Sequence, residues 1–398
     1  MAEKDITNSS ILVGHLADTH LRDTQYVAPR RGLDFFKAAK QAILDSAKQA
    51  DILVIVGDIF DRSRPSPKVI GQLMEIDQLL RATGKAMLSV TGNHDWCDPT
   101  WLATLFPGRC PEDGLLPDDV SGIIPIDERK VWFKGFSFAG VKPYSGAAFR
   151  NHLAEITVAT RDVDVVLYHN LVEGIVPFYG GLAEPLRAEE FPLSKGNKAW
   201  LLGDIHIQGY ATLDRPGGGT VLTGYPGSTE MGSASESPDK SVPLIRVSHE
   251  AATVDSTVPI EIRPFIDAEI TTEAQLETLM EEVAKVADKD PTVIVKFDRK
   301  MPQTISRLHS MLDAQRAVIR CHPLPSGESF APREADDGED EQLGMNHFVG
   351  KRFTDRPDLE SVAMDLLIRG EFDADGIVAQ MVETRLASTG VREDDDAA

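Results

Sequence analysis

Five short stretches place aspartate, histidine or asparagine directly after an apolar run: "ADTH" with Asp18 and His20, "GDIFD" with Asp58 and Asp61, "GNHD" with Asn93, His94 and Asp95, "YHN" with His169, and "GDIH" with Asp204 and His206. A lone Asp or His at the end of a strand is more often a cap or turn residue than a catalyst. Five such sets are hard to attribute to turn chemistry. Together they meet the needs of a two-metal hydrolytic centre, in which divalent ions roughly 3.5–4 Å apart clamp a phosphate, generate a hydroxide at neutral pH and stabilise the departing oxygen. A carboxylate must bridge the ions, and imidazoles with other hard oxygen donors fill the remaining positions. Nitrogen and oxygen donors without sulfur suit Mn²⁺, Mg²⁺, Fe²⁺ or Zn²⁺ and do not choose among them; two divalent ions, Mn²⁺, are the expectation.

Such residues work only if strands deliver them to one place. "SILVGHLADTH", "DILVIVGDIFD" and "KAMLSVTGNHD" read as buried strands that end in polar residues. Between them, "LDFFKAAKQAILDSAKQA" has apolar residues near helical spacing, and "SPKVIGQLMEIDQLLRATG" has a Ser–Pro start and a glycine near its end, the marks of a capped helix. Strand, helix, strand order predicts a largely parallel sheet with its loops gathered at the strand C-terminal ends, all five polar sets lying on that one edge. From Val131 the runs shorten: "VWFKGFSFAGV", "DVDVVLYHN", "KAWLLGDIH", "GTVLTGYPGS", "SVPLIRVS" and "STVPIEIRPF" are punctuated by Gly and Pro, which predicts antiparallel strands and hairpins. Near residue 265 the rhythm changes to helix ("TTEAQLETLMEEVAKVAD"), strand ("PTVIVKFD"), helix ("PQTISRLHSMLDAQ") and strand ("AVIRCHPL"). The expected organisation is a main domain over 1–265, a small α/β domain over 266–323, an acidic linker over 324–346, a helical segment over 347–390 and an acidic tail over 391–398.

In this order the five motifs resemble the signature of calcineurin-like metallophosphoesterases, D-x-H, G-D-x-x-D, G-N-H-D/E, H and G-H-x-H. A closer similarity is to SbcD-type DNA repair nucleases: "HLADTHL" is similar to their H-x-S-D-x-H-L opening, "VGDIFDRSRPSP" to G-D-I-F-D-x-x-x-P-S, and "GYPGSTE" to Y-P-G-S-x-E. That resemblance implies an α/β (α+β layered) fold, a β-sandwich flanked by helices, with a small α/β capping domain and C-terminal helices that dock an SbcC-type coiled-coil ATPase. It also implies a dimer and a metal-dependent exo- or endonuclease acting on DNA. Carried over by position, Asp18, His20 and His206 hold the first ion, Asp58 bridges both, and Asn93, His169 and residue 204 complete the second. His94 takes the place of the family's catalytic histidine, which orients the scissile phosphate or protonates the leaving oxygen. Asp95 supports an imidazole, fixing its tautomer or orientation.

Asp204 is the clearest departure, since the family normally has His there. An aspartate keeps an oxygen donor, so ligation directly or through water is the favoured reading over a structural one. It adds a third negative charge to Asp18 and Asp58 and shifts preference toward harder ions. Other residues have blander readings: Asp61 as a turn or supporting acid, His15 as a core histidine, and Trp96 and Trp101 as hydrophobic anchors of their loop rather than a base-stacking wall. Arg62 and Arg64 are candidates to reach substrate phosphates, with a solvated surface role equally weighted.

Composition bounds these readings. The 398 residues, 42% hydrophobic and 26% charged, are those of a globular protein. No apolar run approaches the roughly 20 residues that span a bilayer, and the polar "MAEKDITNSS" lacks the apolar core of a secretory signal, so a cytoplasmic protein without a membrane partner is expected. Cys97, Cys110 and Cys321 are in no CxxC spacing and read as reduced thiols. The net charge of −22 weighs against a strongly basic nucleic-acid footprint, although part of it lies in "READDGEDE" and "REDDD". Two alternatives therefore stand beside the nuclease: a phosphomonoesterase or phosphodiesterase acting on nucleotides or small molecules, and a regulatory subunit with a degenerate metal site.

Overall fold

The computed structural model describes residues 10–25, 29–176, 185–233, 236–289, 291–297 and 318–323. The helix expected at 302–315, the acidic linker, the C-terminal helices and the acidic tail lie outside the described residues.

Strands β1 (Ser10–Leu16), β2 (Ile52–Val56), β3 (Ala86–Val90) and β4 (Gly122–Pro125) alternate with helices α1 (Pro29–Ala47), α2 (Pro67–Ala82) and the short α3 (Trp101–Leu105). The four strands run parallel in that order. The Ser66 side chain accepts the Val69 N–H and Pro67 occupies the first turn of α2, so the Ser–Pro signal is a working N-cap. Next come a hairpin of β5 (Lys130–Phe133) and β6 (Phe136–Val141), helices α4 (Gly146–Asn151) and α5 (Leu153–Thr160), and then β7 (Val165–His169). A two-strand ladder, β8 (Val172–Glu173) with β9 (Leu186–Arg187), precedes β10 (Ala199–Gly203), β11 (Gly209–Asp214) and β12 (Thr220–Tyr225). Finally β13 (Lys240–Ser248) and β14 (Ala252–Ile260) return to the first sheet, antiparallel beside β1.

Two six-stranded sheets result, ordered β14-β13-β1-β2-β3-β4 and β11-β12-β10-β7-β6-β5. One apolar core draws Val13, Val54 and Val90 from the first and Phe138, Leu167 and Leu201 from the second, so the sheets pack face to face. A second core packs α1 and α2 on the outer face of the first sheet, and a third joins Phe149 and Ile156 of the α4–α5 pair to Val166, Tyr168 and Trp200. This is a mixed α/β sandwich flanked by helices, as the resemblance implies. Among the described residues no helix is long and apolar enough to cross a membrane.

The run "VWFKGFSFAGV" is an antiparallel hairpin, as expected for these runs, turned at Lys134 and Gly135, both with positive φ. Two expectations need correction. The centre of the second sheet is parallel, β6, β7, β10 and β12 running the same way, where antiparallel pairing was expected. Its strands β7 and β10 are buried at every position and, apart from His169 at the end of β7, read as near-continuous apolar runs, as strands covered on both faces do; the Gly and Pro flanking them mark loops, not hairpins. Finally, the five polar sets come from two sheets: β1, β2 and β3 deliver three and β7 and β10 the other two, with the strand C-terminal ends of both sheets meeting at one rim.

Beyond residue 264, β15 (Phe265–Ile270), β16 (Thr292–Phe297) and β17 (Val318–Pro323) form a parallel three-stranded sheet. Helix α6 (Glu273–Lys285) buries Leu276, Leu279, Met280 and Val283 against it.

Candidate metal centre

Each motif sits where a tight loop leaves a buried strand. Asp18, His20, Asp58 and Asp204 have positive φ angles of 52°, 42°, 49° and 102°, a region that few side chains other than those of Asn, Asp and His tolerate. Glycines leave no room for a side chain beside them: a Cβ on Gly57 would lie 2.2 Å from His169 Nδ1, and one on Gly92 would lie 2.1 Å from Asp58 Oδ1. The loops after β2, β3 and β7 can therefore converge.

Among the described residues, three sets of ligand atoms lie within 4.8 Å of one another: Asp18, His20 and His206; His20, Asp58 and His94; and Asp18, Asp58 and His169. The sets interlock. Asp58 Oδ2 stands 3.4 Å from His169 Nε2, 3.8 Å from His20 Nε2 and 4.0 Å from His94 Nε2, a central position for a bridging carboxylate. Asp204 belongs to none of the three sets; its Oδ1 is 3.7 Å from His169 Nε2, and its backbone N–H donates to the Asp18 carboxylate at 3.1 Å. Asn93 faces His169 Nε2 at 2.9 Å and both Asp58 oxygens at 3.2 Å. With its amide nitrogen inward it donates to these groups; with its oxygen inward it faces only acceptors, the orientation that suits a cation.

The imidazoles are aimed from behind. His169 Nδ1 donates to the Val56 carbonyl at 2.8 Å, and His206 Nδ1 donates to Glu236 Oε1 at 2.9 Å, which leaves each Nε2 lone pair facing the cluster. His20 Nε2 and His206 Nε2 approach to 3.1 Å. Two such lone pairs repel unless a proton or a cation lies between them. The donor set, mixed N and O with no sulfur, and these facing lone pairs fit a pair of divalent cations.

Without cations, protons take their place. Burial raises the Asp18 carboxyl to about 7. Burial alone would lower His169, but the charge and hydrogen bond of Asp58 carry it well above its usual range; His169 in turn holds Asp58 well below the carboxylate range against the upward push of burial. Burial would also lower His206, and its hydrogen bond to Glu236 raises it instead. The sign is the same at Asp18, His169 and His206: each holds a proton in the folded, metal-free chain at pH values where the unfolded chain has released it. Stability tied to these protons falls as pH rises from about 4 through 7 for Asp18 and through the elevated histidine values for the other two. Divalent metal must displace them, so Mn²⁺ affinity is expected to rise between pH 6 and pH 8, about tenfold per pH unit for each proton released. Calorimetric titration in buffers of different ionisation enthalpy counts those protons, and a pH-independent affinity with no proton release contradicts the cluster as a metal site.

One residue falls elsewhere than expected. Asp95 supports no imidazole: its carboxylate accepts the backbone N–H groups of Gly92 (2.6 Å) and Ile59 (2.7 Å), tying the loops after β2 and β3 together. Burial, with the charge of Asp58 next, raises it to about 7. His15 is a core residue between Tyr210 Oη (2.7 Å) and the Leu202 carbonyl (3.0 Å), and burial lowers it to about 3. Asp61 lies 3.8 Å from His20 Nδ1 and pairs with Arg22. Arg62 and Arg64 line a cavity of about 370 Å³ beside the cluster, together with Arg22, which sequence reasoning passed over.

Glu236 was also missed. It lies in "SASESPDK", which reads as a polar loop, and nothing local marks it. Besides His206 it receives the N–H groups of Gly232 and Ser233 and the Lys240 ammonium (2.6 Å), while the Ser228 hydroxyl lies 2.8 Å from Oε2. Although burial would raise it, His206 and Lys240 bring it to about 2. Ser228 and Glu230 belong to "YPGSTE", so that motif is part of the support for His206, and Glu230 faces the fully buried Arg31 at 3.5 Å.

Residues 11–208 match the family described as calcineurin-like phosphoesterase. This stretch is a calcineurin-like phosphoesterase domain. The chain is 28% identical to a DNA double-strand break repair protein Mre11 of Methanosarcina acetivorans, over 72% of this chain and 45% of that protein. It is 26% identical to one of Archaeoglobus fulgidus, over 96% and 86%, and 28% identical to one of Halobacterium salinarum, over 74% and 73%. The match thus spans less than half the length of the Methanosarcina relative. The phosphoesterase domain ends, as matched, two residues after His206, and so includes all ten motif residues but not Glu236.

Three substitutions probe the margins of the site. Glu236→Ala should weaken Mn²⁺ binding by about 10–100-fold through loss of His206 orientation, measured by calorimetric titration; an unchanged affinity would remove Glu236 from the site. Asp204→Ala should lower occupancy at the second ion and remove most activity, whereas Asp204→His should keep metal with an altered preference among Mn²⁺, Mg²⁺ and Zn²⁺. Metal analysis at two ions per chain and full turnover in Asp204→Ala would show that Asp204 is no ligand.

Proposed function

We propose that the chain is a two-metal-dependent phosphodiester hydrolase that cuts DNA, working with an SbcC-type coiled-coil ATPase. The observation that supports this most strongly is the interlocked cluster centred on Asp58. In this reading Asp18, His20 and His206 hold one ion, Asn93, His169 and Asp204 the other, and Asp58 both; Mn²⁺ suits the donors. Bound there, the ions supply a hydroxide at neutral pH and offset charge on the phosphate. His94 donates Nδ1–H to the Asp61 carbonyl (3.1 Å), which turns Nε2, on a ring 48% exposed, toward Asp58 and the place of a scissile phosphate, where a proton held at Nε2 would pass to the leaving oxygen. Arg22, Arg62 and Arg64 border the adjacent cavity and suit a flanking phosphate of the same strand. DNA as substrate is supported by the similarity to the Mre11 DNA double-strand break repair proteins.

The same reading assigns residues 1–265 to the nuclease domain, 266–323 to a cap, 324–346 to a linker and 347–390 to ATPase docking, with the tail at 391–398, in a homodimer. A second reading, hydrolysis of a compact phosphoester, is favoured by the net charge of −22, which disfavours a long polyanion. Purified protein with Mn²⁺ should be given linear and single-stranded DNA beside a generic phosphomonoester and phosphodiester, with and without the ATPase. Cleavage of DNA is expected. Turnover of nucleotides or the monoester with DNA untouched overturns the nuclease reading.

A further inference from the structure

Both tryptophans of the loop after "GNHD" read from sequence as anchors, and only one of them is. Trp101 donates its indole N–H to the Ser63 carbonyl at 2.7 Å and packs against the helix-side core. Trp96 is 38% exposed. Its place is fixed by its surroundings. Asp95, immediately before it, is held by backbone N–H groups from two loops, and Thr100 caps α3 just after it. The Lys142 ammonium lies 5.8 Å from its ring centroid. Lys142 directly follows Val141, which pairs with Tyr168, the neighbour of His169. Trp96 therefore stands on the rim of the metal centre at the β6–β7 side, two residues from His94, whereas the arginine cavity opens beside the loops after β1 and β2.

We propose that Trp96 is a stacking platform for the nucleobase of an unpaired nucleotide next to the scissile phosphate, so that the site takes a single-stranded or frayed end rather than a paired one. This rests on the nuclease reading. An exposed indole on a pinned loop offers a flat face at little entropic cost, and any base can stack on it, so it positions a strand without selecting sequence. The Lys142 ammonium, paired with Glu128 at 2.6 Å, lies over the ring and helps to hold it in place. A strand lying with its phosphates at Arg22, Arg62 and Arg64 and its end base at Trp96 would cross the rim at His94, the half-exposed group between them.

The test compares wild type, Trp96→Ala and Trp96→Phe on short single-stranded oligonucleotides, either fully base-bearing or abasic at the terminal nucleotide, with Mn²⁺. Thermal unfolding and metal content of each variant are measured alongside. Wild type should show a KM about tenfold lower for the base-bearing oligonucleotide. Trp96→Ala should erase that preference by raising the base-bearing KM with kcat little changed, and Trp96→Phe should restore most of it. An equal KM effect of Trp96→Ala on base-bearing and abasic substrates, or a wild type with no preference between them, overturns the proposal. Wild type that hydrolyses a generic phosphodiester but no oligonucleotide overturns the nuclease reading itself and is recognisable as such before any variant is compared.

Discussion

Asp58→Ala should leave a chain that holds less than one divalent ion and turns over phosphodiester on the order of 10³-fold more slowly, because several kcal/mol of charge stabilisation disappear with the metals. The size of the effect follows from the position. Asp58 Oδ2 faces three imidazoles at 3.4–4.0 Å, so no other carboxylate in the cluster can replace it. The Asp58 carboxylate also accepts the His94 backbone N–H at 2.9 Å, so the substitution loosens the loop that carries the proposed acid. Metal content per chain and turnover of a generic phosphodiester should fall together. Two bound ions with ordinary turnover in Asp58→Ala would falsify the bridging role, and full loss of turnover with both ions retained would move Asp58 from metal holder to direct participant.

Gly57→Ala carries the largest expected loss of stability. Gly57 has φ of 78°, and a Cβ there would meet His169 Nδ1 at 2.2 Å and Gly92 Cα at 2.8 Å. Backbone strain and overpacking together amount to about 2–4 kcal/mol. That corresponds to a fall in Tm of roughly 5–15 °C in a domain of this size. Gly84 supplies the control: its φ is 70°, yet nothing lies within 4 Å of a Cβ placed on it. Gly84→Ala should therefore cost only about 1 kcal/mol, the conformational part alone. Equal Tm shifts for the two substitutions would show that crowding at His169 is relieved without cost. If crowding acts as described, Gly57→Ala should also lose metal, since His169 must move away from the Val56 carbonyl that aims it.

What the sequence disclosed was local. β2 and β3 are apolar runs ending in Gly-Asp and Gly-Asn, and α2 announces itself through Ser66 and Pro67, so each of these elements is visible within ten or twenty residues. The motif residues were visible for the same reason, and the structure brings Asp18, His20, Asp58, His94, His169 and His206 within a few ångströms. Long-range features left no such mark. The parallel pairing of β7 with β10 is made across the residues that carry β8 and β9, and an apolar strand looks the same whichever way its neighbours run. Glu236 meets His206 across thirty residues of chain through a polar loop without periodicity. Asp95 carries the right residue type in the expected motif, yet its lone pairs go to backbone N–H groups, a choice set by how closely the loops after β2 and β3 approach.

The left-handed backbone at the motif loops has a consequence for how such a centre can change over time. At position 204, with φ of 102°, a β-branched or bulky replacement is disfavoured by the main chain before any chemistry is considered. The residues that pass this conformational filter most readily are glycine, asparagine, aspartate and histidine, and all but glycine carry a donor atom suited to a divalent ion. Random substitution at Asp204 is thus steered toward side chains that can still coordinate, and the His-to-Asp difference from the family pattern is among the few exchanges the loop admits. The same filter acts at Asp18, His20 and Asp58. In such loops the main chain screens mutations for coordinating ability, and donor identity can drift while the capacity to bind metal is kept.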